Sequence, residues 1–100
     1  MDITFRTTKL RKAYENQANA EREWGAKIGR RYVQRINELY AASNAHDLGK
    51  MPALRLHPLK GSMKGKFAVN IDGAWRLIVS FADDPRTQVT IEEVSDHYDD

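Results

Sequence analysis

Apolar residues recur along this chain in two rhythms, one of period two and one of three to four. In residues 2–6, Ile3 and Phe5 alternate with polar neighbours, which predicts a short first strand. Across residues 9–23, Leu10, Ala13, Tyr14 and Ala18 fall near helical spacing with charges between them. This predicts an amphipathic helix capped by Thr7 or Thr8. After Trp24 and Gly25, the residues Ile28, Tyr32, Ile36, Leu39 and Tyr40 return at intervals of three and four, the stronger helical signal. So short a junction predicts an antiparallel helical hairpin with both apolar stripes against one sheet. Arg30, Arg31 and Arg35 lie off the second stripe, on a face that is either simply solvated or used for phosphate contact.

Residues 43–50 read as a polar linker held by Leu48, and Met51-Pro52 as a turn before a strand-like Leu54-Arg55-Leu56. Two further strand-like runs, Lys66 to Ile71 and Ala74 onward, flank Asp72-Gly73, a pair suited to a type I′ hairpin turn. In that register, facing residues have numbers that sum to 145, so Arg76 stands opposite Val69 and shares a face with Phe67 and Ile71. Asp83-Asp84-Pro85-Arg86 reads as a turn. In the last strand, from Gln88 to Val94, Val94 falls out of step with Val89 and Ile91, and a bulge at Glu92-Glu93 would restore the alternation. No repeat or domain boundary interrupts this order. The expectation is one domain over residues 1–100, of the α+β class: a small antiparallel sheet with two N-terminal helices packed on one face.

Composition narrows the setting. Hydrophobic residues make up 41% and charged ones 30%, and no window approaches the ~20 apolar residues of a membrane span. The absence of cysteine excludes disulfides and thiolate metal sites, and together with an N-terminus unlike a signal peptide it leads us to expect a cytoplasmic protein without membrane contact. The net charge of +2 conceals an asymmetry. Residues 1–76 carry 15 Lys or Arg against 7 Asp or Glu, whereas residues 77–100 carry 1 against 7. A basic body suits a polyanion such as RNA, and a solvated mixed-charge surface is the alternative.

The ionisable chemistry concentrates between Leu54 and Arg76. There His57 adjoins Lys60, Lys64 and Lys66 around glycines at 61 and 65, while Pro58 holds His57 toward extended backbone. A second cluster, Ser95-Asp96-His97-Tyr98, offers histidine beside groups able to orient or share its proton. His46 lies in the polar linker and reads as a surface residue. The histidines have no metal-ligand spacing, and neither a nucleophile-elbow serine nor a phosphate-binding loop is present. A basic cleft with paired acid and base candidates fits RNA cleavage.

An ordered set of residues resembles a known family. It runs from Trp24-Gly25 and Arg30-Arg31 through Leu48, Pro52, Leu56-His57-Pro58-Leu59-Lys60-Gly61 and Lys64-Gly65 to Trp75-Arg76-Leu77-Ile78 and Asp96-His97-Tyr98. The family is the RelE/ParE superfamily of bacterial toxins, in its HigB-like or plasmid-maintenance-killer branch. The resemblance implies a ribosome-dependent endoribonuclease that cuts mRNA and is restrained by a HigA-like helix-turn-helix antitoxin. It places His57, Lys60, Arg76, Asp96, His97 and Tyr98 at active-site positions. Among the other basic residues, Lys64, Lys66, Arg55, Arg30 and Arg31 are candidate RNA contacts, and without a persuasive metal-ligand set we expect no metal or other cofactor. HigB-like chains typically close with Asp-Tyr-His, and this chain exchanges the last two residues. Two other readings follow from the same resemblance: a ParE-like toxin that binds a topoisomerase without catalysis, and an inactive member that only pairs with its antitoxin.

Overall fold

A computed structural model describes residues 1–82 and 87–96. The expected turn at residues 83–86 and the residues His97 and Tyr98 lie outside that range. The described strands are β1 (Asp2–Phe5), β2 (His57–Pro58), β3 (Phe67–Asp72), β4 (Trp75–Phe81) and β5 (Gln88–Ser95). They form one sheet in the order β1-β5-β4-β3-β2. All neighbours pair antiparallel except β1 with β5, which run parallel from Asp2 beside Gln88 to Phe5 beside Ile91. The helices α1 (Thr8–Glu15), α2 (Gln17–Trp24) and α3 (Ala26–Ala41) cover one face of this sheet, and a single-turn α4 (Ala45–Leu48) follows. The expected α+β layout, with helices on one face, is the one observed.

The helix expected over residues 9–23 is two helices. Thr7 caps the first by accepting from the Leu10 amide at 3.2 Å. Asn16 ends it with an extended backbone and starts the second, its side-chain oxygen accepting from the Ala18 amide at 3.0 Å. A short amide side chain competes with the helical ladder for backbone donors, so the break sits at the residue whose chemistry favours one. Gly25 then turns the chain with φ 91°, and α3 runs back along α2. Tyr32, buried on α3, packs its ring at a tilt of 51° with its centroid 4.6 Å from that of Trp24, and donates its hydroxyl to the Leu10 carbonyl at 2.7 Å. Burial raises the Tyr32 pKa far above the ordinary tyrosine value.

The core lies between the helices and one face of the sheet, where Ile36, Leu39 and Tyr32 meet Val69, Ile71, Leu77, Val79, Val89 and Ile91. Arg35 does not lie on a solvated face, as its position off the apolar stripe suggested. It is 8% exposed, donates from Nε to the Asn70 carbonyl at 2.7 Å and pairs with Glu38 at 2.7 Å. A guanidinium at a packed interface needs such acceptors, and a carbonyl at a distorted point of β3 together with a carboxylate one helical turn away supplies them.

That distortion corrects the hairpin register. Val69 stands opposite Leu77 and Asn70 opposite Arg76, Asp72 pairs with Trp75, and Ile71 is an extra residue between them. The two-residue turn is Gly73-Ala74. It is not type I′, because only Gly73, at φ 55°, has a positive φ there. Since side chains alternate along a strand, the one-residue change moves Arg76 to the face away from the helices. Nor is Leu54-Arg55-Leu56 a strand. Pro52 starts a 3-10 turn through Leu54, and Arg55 leaves it in a left-handed conformation. The bulge expected in β5 is present, with Glu92 as the extra residue between the pairs Ile78 with Glu93 and Val79 with Ile91.

Two measurements test this packing. A Cβ at Gly29 would lie 2.5 Å from the Glu21 nitrogen and 2.7 Å from the Ala20 carbonyl carbon, so α2 and α3 cross where only glycine fits. Gly29→Ala is expected to lose about 2–3 kcal/mol by overpacking, outweighing the ~1 kcal/mol gained in helix propensity, and to lower Tm by roughly 5–15 °C in thermal unfolding. At the hairpin, the Lys27 ammonium bonded to Asp72 at 2.9 Å holds that carboxyl below its usual range. A depressed carboxylate stabilises the fold above its unfolded pKa and loses that contribution as pH falls through the folded value. In Lys27→Met, the Asp72 titration followed by carbon NMR is therefore expected to move up toward the ordinary carboxylate value.

Candidate functional site

The face of the sheet opposite the helices carries the candidate chemistry. His57 on β2 pairs with Ala68 on β3, and Ala68 with Ile78 on β4, so the three side chains share this face in one row. Arg76 is on the same face two residues along β4 from Ile78. With strands ~4.8 Å apart, the His57 and Ile78 backbones are about 10 Å apart, and Arg76 lies roughly 7 Å further along.

The basic loop is built on this row. Leu59 and Met63 pack on Ala68 and Ile78, forming a small second apolar cluster. The loop closes at its base through the Leu59 amide and the Lys66 carbonyl at 2.9 Å, and inside it Met63 and Lys64 donate to Lys60 and Gly61. The backbone is thus spent on internal hydrogen bonds and two apolar side chains are turned inward, which leaves Lys60 and Lys64 exposed at the rim. In the sequence, the signal for this anchoring is the pair Leu59 and Met63, four residues apart in an otherwise polar loop.

Two hydrogen-bond sets orient the central groups. His57 Nδ1 donates to the Arg55 carbonyl at 2.7 Å. Its Nε2 is shielded from solvent, so engaging a ligand has to expose that nitrogen. Arg76 is 7% exposed and donates from Nη1 to the carbonyls of Gly73 at 2.6 Å and Trp75 at 3.1 Å. Carbonyl acceptors of its own hairpin thus help to aim this guanidinium. Opposite Arg76 on β5 stands the buried Ser95, and exposed Asp96 follows it directly.

The remaining candidates divide. Lys66 approaches Glu92 at 3.8 Å, and the same carboxylate lies 3.7 Å from Arg6 and accepts from Ser80 at 2.6 Å, so Lys66 sits within an ionic cluster on this face. Glu92 was not singled out in the sequence, although its place at the bulge marks it. Arg55 is exposed beside His57 in sequence. Arg30 and Arg31 are on α3, in the helical layer, with Arg31 bonded to Gln34 at 3.3 Å and adding to the depression of the Asp72 pKa. They do not join the His57 row. Among the described residues, no three His, Asp or Glu side chains come together as metal ligands, and no helix is long and apolar enough to cross a membrane.

This architecture is that of RelE- and YoeB-like toxins. The chain matches a YoeB/ParE toxin from Agrobacterium tumefaciens at 20% identity and TM-score 0.59, covering 98% of this chain and 100% of that one. It matches YafQ from E. coli strain BL21(DE3) at 17% identity and TM-score 0.64, covering 94% and 90%. A chain of the YoeB-YefM complex from Staphylococcus aureus aligns at 22% identity and TM-score 0.56, over 98% of each. No curated protein sequence matches the chain. Residues 3–94 match the HigB-like toxin family, described as RelE-like toxins of the type II toxin-antitoxin system HigB, and the chain belongs to that family.

The loop anchor has a measurable consequence. Leu59→Ala is expected to cost about 2 kcal/mol, toward the low end for a core leucine because its cluster is small. In hydrogen exchange, the Leu59 amide should lose protection while amides of β4 and β5 keep most of theirs.

Proposed function

We infer that this HigB-like toxin is an endoribonuclease that cuts mRNA on the ribosome, using a ribose 2′-hydroxyl as the nucleophile. The observation that supports this most directly is the shared face of His57, Arg76 and the anchored basic loop. In the reaction, a base takes the 2′-hydroxyl proton, the 2′-oxygen bonds to phosphorus, the bond from phosphorus to the 5′-oxygen breaks, and an acid protonates that oxygen. The products are a 2′,3′-cyclic phosphate and a 5′-hydroxyl end. Lys60 and Arg76 stabilise the negative charge that builds on the phosphoryl oxygens, and Lys64 and the side chain of Arg55 are offered to the RNA backbone. His57 serves as one proton-transfer group, and Asp96, His97 and Tyr98 supply the remaining acid or base and its orientation. Arg30 and Arg31, on the helical layer, fit contact with nucleic acid outside the cleft. These side chains meet the proton and charge requirements of the reaction without a metal or other cofactor.

The toxin's partner is an antitoxin, in keeping with the family, and we propose the HigA-like helix-turn-helix type. Solved relatives include the YoeB-YefM complex from Staphylococcus aureus and RelBE2 from Mycobacterium tuberculosis. The cytoplasm, where ribosomes are, is the proposed place of action.

The expected outcome is cleavage of ribosome-bound message at a rate that added transition metals do not raise. His57→Ala and Arg76→Ala, each folded by circular dichroism, should cut at least about 100-fold more slowly. A 2′-deoxy substitution at the scissile ribose should stop the reaction, because the nucleophile is gone. Cutting of that analogue, or a product bearing a 5′-phosphate, would show water-driven hydrolysis instead. Growth arrest that persists in both alanine variants, with no RNA cut, would mark a toxin that acts by binding a topoisomerase. Binding to antitoxin with neither toxicity nor cleavage would mark an inactive member.

A further inference from the structure

Among the described residues, Arg55 is the only residue other than glycine with a positive φ, at φ 48° and ψ 42°. L-residues rarely occupy this left-handed region, because their Cβ crowds the backbone there. Both neighbours hold it in place. Before it, the Pro52–Leu54 turn is fixed by the fully buried Leu54, and the Arg55 amide donates back to the Pro52 carbonyl at 3.2 Å. After it, Pro58 disfavours helical backbone at His57, and pairing with Ala68 makes that residue extended. A single left-handed residue converts the turn into the strand.

The conformation also aims a carbonyl. The oxygen of Arg55 lies 2.7 Å from Nδ1 of His57. A carbonyl oxygen can only accept, so Nδ1 carries a proton, and in the neutral imidazole the lone pair is on Nε2. The strained backbone thus selects one tautomer of the candidate catalytic histidine.

We propose that Arg55 is a positioning residue that acts through its left-handed backbone, setting His57 as the base that removes the 2′-hydroxyl proton at Nε2 once RNA binding exposes that shielded nitrogen. This rests on the endoribonuclease reading and deepens it by assigning to His57 the proton of the nucleophile. It also divides the contribution of Arg55 between a backbone that positions His57 and a guanidinium offered to RNA.

The test pairs a spectroscopic readout with a substitution series. Long-range proton–nitrogen correlation spectra of the intact protein at a pH where His57 is neutral should show Nδ1 protonated and Nε2 unprotonated. Arg55→Gly and Arg55→Asn, which tolerate the left-handed region, should keep that pattern. Arg55→Val and Arg55→Thr, which resist it, should shift the ring signals toward those of a solvent-averaged imidazole. Cleavage of ribosome-bound message by Arg55→Val should fall about tenfold or more below that of Arg55→Gly, chiefly in kcat, although both variants lack the guanidinium. Equal losses in the two would assign Arg55 to RNA contact alone and overturn the proposal. Should Arg55→Val fail to fold, the wild-type and Arg55→Asn spectra still decide. An Nε2-protonated His57 in an active enzyme overturns the Arg55 proposal alone. A correctly set tautomer in a chain that cuts no RNA overturns the endoribonuclease reading and, with it, the assignment of His57 as base.

Discussion

The bond from Arg35 on α3 to the carbonyl of Asn70 holds β3 at the point where its register changes. In a sheet, one residue of slip exchanges the two faces. With Ile71 as an extra residue, Val69, Ile71, Leu77 and Val79 all face the helices, while Arg76 turns to the opposite side with Ala68 and Ile78. Without the bulge, either Arg76 would be pressed into the apolar core with Leu77 and Val79 turned out, or Val69 on β3 would face away from the helices. A buried guanidinium, its carboxylate partner Glu38 and the Asp72–Lys27 pair therefore fix an irregularity on which both the core and the candidate site depend.

The open face sorts its charges by what they meet. Glu92, made extra by the second bulge, gathers Lys66, Arg6 and Ser80. Lys60 and Lys64 stand at the exposed rim of a loop whose apolar side chains are already committed to the sheet. The order of the loop comes from its own short-range bonds and from Leu59 and Met63, so its lysines are presented by a scaffold in place before any ligand arrives. Pre-ordering of this kind reduces the conformational entropy lost on binding a polyanion.

What could be read from the sequence was local. The strong helical stripe of α3, the alternation in the strands, the β5 bulge and the basic loop around His57 are each written within a few residues. The break at Asn16 was also written locally, as an N-capping residue inside a helical pattern, but the periodicity on either side outweighed it. The burial of Arg35 and the register of the hairpin were not legible. Both are decided by partners distant in the chain, since Arg35 finds Asn70 across 35 residues and Lys27 finds Asp72 from another element. Because the face of Arg76 depends on that register, the membership of the site could be named from the sequence but not its geometry. The left-handed Arg55 had no sequence signal, because glycine or asparagine is the expected residue there.

The parallel pairing of β1 with β5 joins residues 2–5 to residues 88–91. During synthesis, the first strand leaves the ribosome with its partner still unmade, and the hairpin of β3 and β4 can form while the sheet's far edge is missing. Arg76 pairs with Ser95 on that same last strand, so the neighbourhood of the candidate site also waits for it. A contact of such long sequence separation closes late. For a toxin, this order of events has a use: the chain cannot present its whole sheet while it is still being made, and the interval before the final strand docks is time in which an antitoxin already present can be waiting.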